Sequence, residues 1–183
     1  MGKFCGICWI LVILASCSAD DQPPFGRDLT LRFAGNEFAV GYTLREQIES
    51  RLGKPDKIEF SERGGEEFYW TKISTLYYFK GKLQLSFSAS TSRLIQLIFS
   101  PDESDVFEGF LGVSEKSVKN EIAGLAKGKG IDFFERDDLV LWTSYQSRSP
   151  VFTASAGLNF TSTGHVAALN YTIDGPWFAV SKK

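Results

Sequence analysis

Few groups in this chain could do chemistry. Its one histidine, His165, follows Gly164 in a stretch that reads as a hairpin turn, so it reads as a solvated turn residue and not a general base. The three cysteines, Cys5, Cys8 and Cys17, all lie near the N-terminus. A Cys5-x-x-Cys8 spacing suits metal or redox work, but here it falls inside an apolar run. With one His and no Cys after Cys17, a zinc site of nitrogen and sulfur ligands cannot be assembled. Glu66-Glu67 and Asp137-Asp138 are paired acids. Neighbours on a strand point to opposite faces, which parts the two carboxyl groups that glycoside hydrolysis needs on one substrate. Asp102, Glu103 and Asp105 offer oxygens to calcium without the loop spacing or turn glycine of an EF-hand. The segment from Thr153 to Gly157 (TASAG) lacks the first glycine of a nucleophile elbow. Gly124 to Gly130 (GLAKGKG) lacks the spacing of a phosphate loop and the Ser or Thr that follows its lysine. No catalytic set, metal or cofactor is therefore expected, and the chain reads as non-enzymatic.

The thiol of Cys17 is the exception. Lys3 precedes an apolar run from Ile7 to Leu14, and Leu14-Ala15-Ser16-Cys17 follows. This arrangement resembles the lipobox of bacterial lipoproteins. The resemblance implies that Cys17 receives a diacylglyceryl group, that the chain is cut before it, and that the new N-terminus is acylated with a fatty chain such as palmitate. Residues 1–16 are then a signal peptide. A membrane-spanning helix needs roughly 20 apolar residues, about twice what is present. Myristoylation at Gly2 asks for Ser or Thr where Gly6 stands. A plain secretory signal is the remaining alternative. Each buried methylene is worth about 0.8 kcal/mol, so two or three acyl chains anchor stably where one does not. The implied place is the cell envelope, at the outer membrane facing the periplasm.

Charge narrows the partners. The chain carries 20 Lys+Arg against 22 Asp+Glu, net −2. Nucleic-acid binding rests on a basic patch that neutralises phosphates, and a mildly acidic chain argues against it. Residues 17–27 form a polar tether stiffened by Pro23-Pro24. The folded part holds no thiol and must stand on its core, which a 14% aromatic composition can build.

Patterning predicts an α+β fold of two tandem helix-plus-antiparallel-sheet units, residues 28–101 and 102–183, with the helices packed on one sheet face. In the first, Leu29, Leu31 and Phe33 alternate as a strand, Gly35-Asn36 turns, and Glu37 to Val40 returns. Thr43 and Glu46 have the spacing of a capping box, Leu44, Ile48 and Leu52 form a helical stripe, and Gly53 with Pro55 ends it. Strands are predicted over 68–70, 76–79, 82–88 and 93–100. On the last, Ile95, Leu97 and Phe99 fall on one face with Leu94 and Ile98 on the other. In the second unit Ser114 is placed to cap a helix with Val118, Ile122 and Leu125 on its stripe, followed by strands over 132–135, 139–144, 150–160 and 166–173. Leu85-Ser86-Phe87 aligns with Leu158-Asn159-Phe160, and Leu97-Ile98-Phe99 with Leu169-Asn170-Tyr171.

The run from Gly41 to Asp56, a G-x-T helix start followed by Leu52-Gly53-Lys54-Pro55, resembles small outer-membrane-assembly lipoproteins of the BamE/SmpA kind. It is also similar to the tandem-repeat β-lactamase-inhibitor proteins. With Phe68-Tyr69-Trp70 and Gly81-Lys82-Leu83 it looks like immunity-type proteins too. The resemblance implies a non-catalytic protein-binding module, an inhibitor or immunity-type protein against a toxin or enzyme. The alternative is a BamE-like scaffold in outer-membrane protein assembly. Residue types that anchor interfaces nominate Tyr69, Trp70, Tyr78, Leu94, Ile98, Trp142 and Tyr145 as candidate binding residues, with Tyr77 of the same type. The expected partners are a protein and, through lipid on Cys17, a membrane.

Overall fold

Alternation of Leu29, Leu31 and Phe33 with polar neighbours yields strand β1 (Thr30–Phe33), which puts its apolar residues on one side. Ala34 and Gly35 take positive φ, 50° and 74°, as a two-residue hairpin turn requires. Strand β2 (Asn36–Ala39) then returns antiparallel. The computed structural model describes residues 29–62, 72–129, 131–137, 139–148 and 151–175. Helix α1 (Arg45–Leu52) follows, then strands β3 (Lys57–Glu62), β4 (Lys72–Tyr78), β5 (Leu83–Ser88) and β6 (Leu94–Phe99). Strand β7 (Phe107–Glu108) and a 3₁₀ turn (Phe110–Gly112) lead to helix α2 (Lys119–Gly128). Strands β8 (Phe134–Asp137), β9 (Val140–Arg148), β10 (Val151–Phe160) and β11 (Val166–Asp174) complete the described chain.

All named strand pairs are antiparallel. One sheet has the order β2-β1-β7, the other β3-β4-β5-β6-β11-β10-β9-β8. The larger order reads outward from its central pair, β6 and β11, in the same way on both sides.

This corrects the expected α+β class. Eleven strands hold about half of the described residues, and the two helices are short. The helices are not the layer that covers the sheet. Helix α1 buries Ile48 alone, and α2 buries Ile122 and Ala126. Most of the cover comes from Leu29, Leu31, Phe33, Phe38 and Val40 around the first hairpin, with Phe107, Phe110 and Val113. Those residues share one core cluster with Leu76, Leu85, Leu97, Leu158 and Tyr171 of the large sheet. Eight residues rise only about 12 Å along the axis, so α1, which buries Ile48 alone, cannot roof four strands.

The helix starts also differ from the predicted caps. The N-terminal cap of α1 is Leu44, whose N–H donates to Gln47 Oε1 at 3.0 Å. The Thr43 hydroxyl instead accepts the Ala39 N–H at 2.8 Å, closing the turn after β2. Ser114 does not cap α2. It belongs to a turn in which its N–H donates to Ser117 Oγ at 2.9 Å, and α2 begins at Lys119, capped by Val118. Leu125 is 53% exposed, and Ala126 takes the inward place predicted for it.

Both helices are pinned at their starts in the same manner. Leu44 bridges Arg93, and the Arg45 N–H donates to Ser92 O in the β5–β6 turn at 2.9 Å. Val118 bridges His165, and the Lys119 N–H donates to Gly164 O in the β10–β11 turn at 3.2 Å.

Strand β6 carries a bulge at Ile95. Register between β5 and β6 shifts after Ser86, which sets Leu94 opposite Phe87. One residue of slip exchanges the faces. Leu94 therefore joins Leu97 and Phe99 in the main core, whereas Ile95 packs with Ile73 in a separate pair on the other side. The strict alternation read from sequence had assigned both residues to the opposite faces.

Candidate interaction face

The large sheet has a second side, away from the main core, whose side chains are mostly half-buried. Two rows of side chains cross it in register. The first runs Tyr77, Gln84, Ile98, Asn170, Gly157, Trp142, Phe134 from β4 to β8. Phe134 is 65% exposed, and Tyr77, Ile98, Asn170 and Trp142 are half-buried. The second row runs Thr75, Ser86, Gln96, Thr172, Ser155, Ser144 from β4 to β9. Its members bond across strands: Thr75 Oγ1 to Ser86 Oγ at 2.9 Å and Ser155 Oγ to Thr172 Oγ1 at 2.7 Å. Gln96 Nε2 donates to Asn170 Oδ1 at 3.4 Å and ties the two rows together. Small hydroxyls pack well on a pleated surface, and cross-strand pairs of this kind hold register. The second row is uncharged, and Asp174 stands one step beyond Thr172 on the same side of β11.

At the β3 edge the face ends in a self-neutralised charge group. Lys57 Nζ pairs with Glu59 and stands 5.4 Å from the Tyr77 ring centroid. The Tyr77 hydroxyl donates to Glu59 Oε2 at 2.5 Å. Hydrogen bonds from Lys57 and then Tyr77 hold the Glu59 carboxyl below its ordinary pKa. The same bond, with Glu59 as acceptor, raises the Tyr77 phenol. The charges of this edge are thus satisfied within the chain.

A denser group of charges lies at one end of the sheet, where a cleft of about 460 Å³ is lined by Asp102, Glu103, Glu115, Thr161, Thr163 and His165. Asp102 and Asp105 turn to Lys82, whose Nζ lies 2.5 and 2.8 Å from their Oδ2 atoms. Asp102 and Asp105 thus clasp the 101–106 segment to the start of β5. Among the described residues no group of three His, Cys, Asp or Glu is placed to hold a metal ion. His165 is exposed in the β10–β11 turn, with its N–H donating to Thr161 Oγ1 at 3.2 Å.

The structure sorts the sequence candidates. Trp142 and Ile98 share the first row. Tyr78 and Leu94 are core residues, 4% and 0% exposed, and the Tyr78 hydroxyl donates to Gly53 O at 3.2 Å, so neither can meet a partner. Tyr145 lies in β9 opposite Ala154. Tyr69, Trp70, Glu66, Glu67, Asp138, Cys17, the signal peptide and the tether fall outside the described residues. Ser155 sits mid-strand beside Thr172, so the TASAG segment forms no turn. Phe134, Gln84, Gln96, Asn170 and Gly157 were not singled out from sequence. The signal that could have found them is the alignment of strand registers, which makes polar residues on six strands into one row. In comparisons with protein-family models, curated proteins and solved structures, nothing matches this chain.

Proposed function

We propose that this chain is a lipid-anchored envelope protein that binds another protein through the side of its eight-stranded sheet that lies away from the main core. It acts as an inhibitor or immunity-type module and not as an enzyme. The observation that carries the binding is the register row from Tyr77 to Trp142 and Phe134: aromatic groups stand at both ends of a row that runs beside an uncharged hydrogen-bonding strip. Partly exposed aromatics around a rigid platform are the residue types that dominate interface energetics. The anchoring half of the reading rests on Leu14-Ala15-Ser16-Cys17.

The test places a photo-crosslinking residue at Ser144 or Gln84 in the full chain in its own membranes. A discrete cross-linked protein, lost when Trp142 is changed to Ala, supports the reading. Cross-linking that is indifferent to Trp142→Ala removes the face from it. Cys17→Ala should release the protein from the detergent phase; retention there overturns the lipid anchor.

A further inference from the structure

A third row crosses the same side of the large sheet, beyond the hydroxyl row. It runs Ser61, Ile73, Ser88, Ile95, Asp174, Thr153 from β3 to β10. Burial rises toward its middle. Ser61 and Thr153 are exposed at the two ends, whereas Ile73 is 5% exposed, Ser88 1% and Ile95 0%. An isoleucine without solvent contact needs a layer over it, and the main core lies on the opposite side of the sheet. Among the described residues Ile73 and Ile95 cluster only with each other.

The neighbouring elements do not supply that layer. The β5–β6 turn is exposed at Ala89, Ser90 and Ser92, and the Arg45 N–H to Ser92 O bond holds it to α1 on the core side. Glu62 and Lys72, which bound residues 63–71, are both exposed. Leu29 belongs to the main core, so the residues before it arrive on the opposite side. The chain leaving β11 is different. Gly175 is buried, and the Thr172–Gln96 pairing carries Asp174 toward Leu94 and Ile95. From β11 to Ile73 in β4 is three strand spacings, about 14 Å, and five extended residues span about 16 Å. We infer that Pro176 to Val180, outside the described residues, crosses this end of the sheet as a strap, with Trp177 and Phe178 supplying the apolar cover over Ile95, Ser88 and Ile73. The strap goes beyond the binding reading and does not depend on it, because the two rows that carry that reading lie beside it.

The test is maleimide labelling of Ser88→Cys in the full chain in detergent, read at the peptide that carries position 88. Labelling should be slow in the otherwise intact chain. It should quicken by more than about tenfold when Trp177 and Phe178 are both changed to Ser. Thr143→Cys, 4% exposed and paired with Ala156 of the main core, should stay protected in the same background and so report that the fold stands. Labelling of position 88 that is equally slow with and without the two aromatics overturns the strap. So does quickening produced by Phe68→Ser with Trp70→Ser instead, which would give the cover to residues 63–71. A second measurement removes nothing from the chain's cover: a photo-crosslinking residue in place of Trp177 should link to the peptides that carry Ile73 or Ile95. Links confined to core-side peptides, such as that of Leu29, would overturn the strap whatever the labelling shows.

Discussion

The six-membered ring of Trp142 fills the space that a side chain on Gly157 would take. A Cβ on Gly157 would lie 2.8 Å from both Cε3 and Cζ3 of the ring. The two residues are directly paired between β9 and β10, so the glycine is what lets the indole lean inward over the sheet toward Asn170.

Gly157→Ala should therefore force the ring outward. Overpacking of this kind costs about 1–3 kcal/mol. Trp142→Ala removes the obstacle, and adding Gly157→Ala on that background should cost little. Denaturant unfolding of the four proteins gives the coupling directly. Equal cost of Gly157→Ala on both backgrounds would separate the two residues.

Tyr171 is fully buried, and its hydroxyl accepts the Phe110 N–H at 2.8 Å. The bond ties the centre of the large sheet to the 3₁₀ turn on the covering layer. Burial, which outweighs that donated bond, pushes the phenol far above its ordinary pKa, so it stays neutral in any folded state. Tyr171→Phe removes the acceptor and should lower stability by about 1–3 kcal/mol. The urea midpoint should fall with an unchanged slope. A midpoint equal to the parent's would mean that water replaces the hydroxyl without loss.

The Lys82 clasp has a defined pH window. Burial alone would raise the Asp105 pKa, but the hydrogen bonds from Lys82 and from the Asp102 N–H outweigh it, and the carboxyl is lowered. Hydrogen bonds to Asp102 and then Asp105 raise the Lys82 ammonium. A lowered acid stabilises above its unfolded pKa and loses that contribution as pH falls through the folded value. A raised base stabilises below its unfolded pKa and loses it as pH rises through the folded value. Lys82→Met should thus lower stability modestly across neutral pH. The difference should shrink in acid, below the ordinary carboxylate range, and again in strong alkali. A gap that is flat into acid would show that the carboxylates do not contribute through charge.

The stripe of α1 gives a graded test. Ile48 is fully buried, whereas Leu52 is only partly covered against the core. Ile48→Asp places a charge where no counter-charge waits and should unfold the protein. Leu52→Asp should lower the melting temperature and leave the fold standing, as circular dichroism would report. Equal loss from both changes would mean that α1 is packed along its whole stripe.

Local rules read this chain well, and long-range pairing did not follow from them. The first hairpin, the stripe centred on Ile48 and the positive-φ stop at Gly53 were all visible as spacing. Strand β3 went unrecognised because all six residues, Lys57 to Glu62, are exposed at a sheet edge, where no alternation is imposed. The class was misjudged for a related reason. Periodicity marks a helix but does not weigh how much surface it covers, and here the hairpin Leu29 to Val40 covers more than either helix. The face around Trp142 depends on which strands become neighbours. Serine, threonine and glutamine on separate strands look like surface until Thr75, Ser86, Gln96, Thr172 and Ser155 are brought into one line.

The central pair of strands carries a cost for biogenesis. Strand β6 is complete in the chain long before β11, with which it pairs at Leu97–Tyr171. Until β11 arrives, a strand carrying Leu94, Ile95, Leu97 and Phe99 has an open edge. Such an edge is a template for pairing with another chain, and closing it requires a distant contact that forms slowly. A nascent molecule is at its most adhesive in that interval. Exchange of β11 between two chains would be its natural misassembly, giving a dimer whose each half is sealed by the other's last strand.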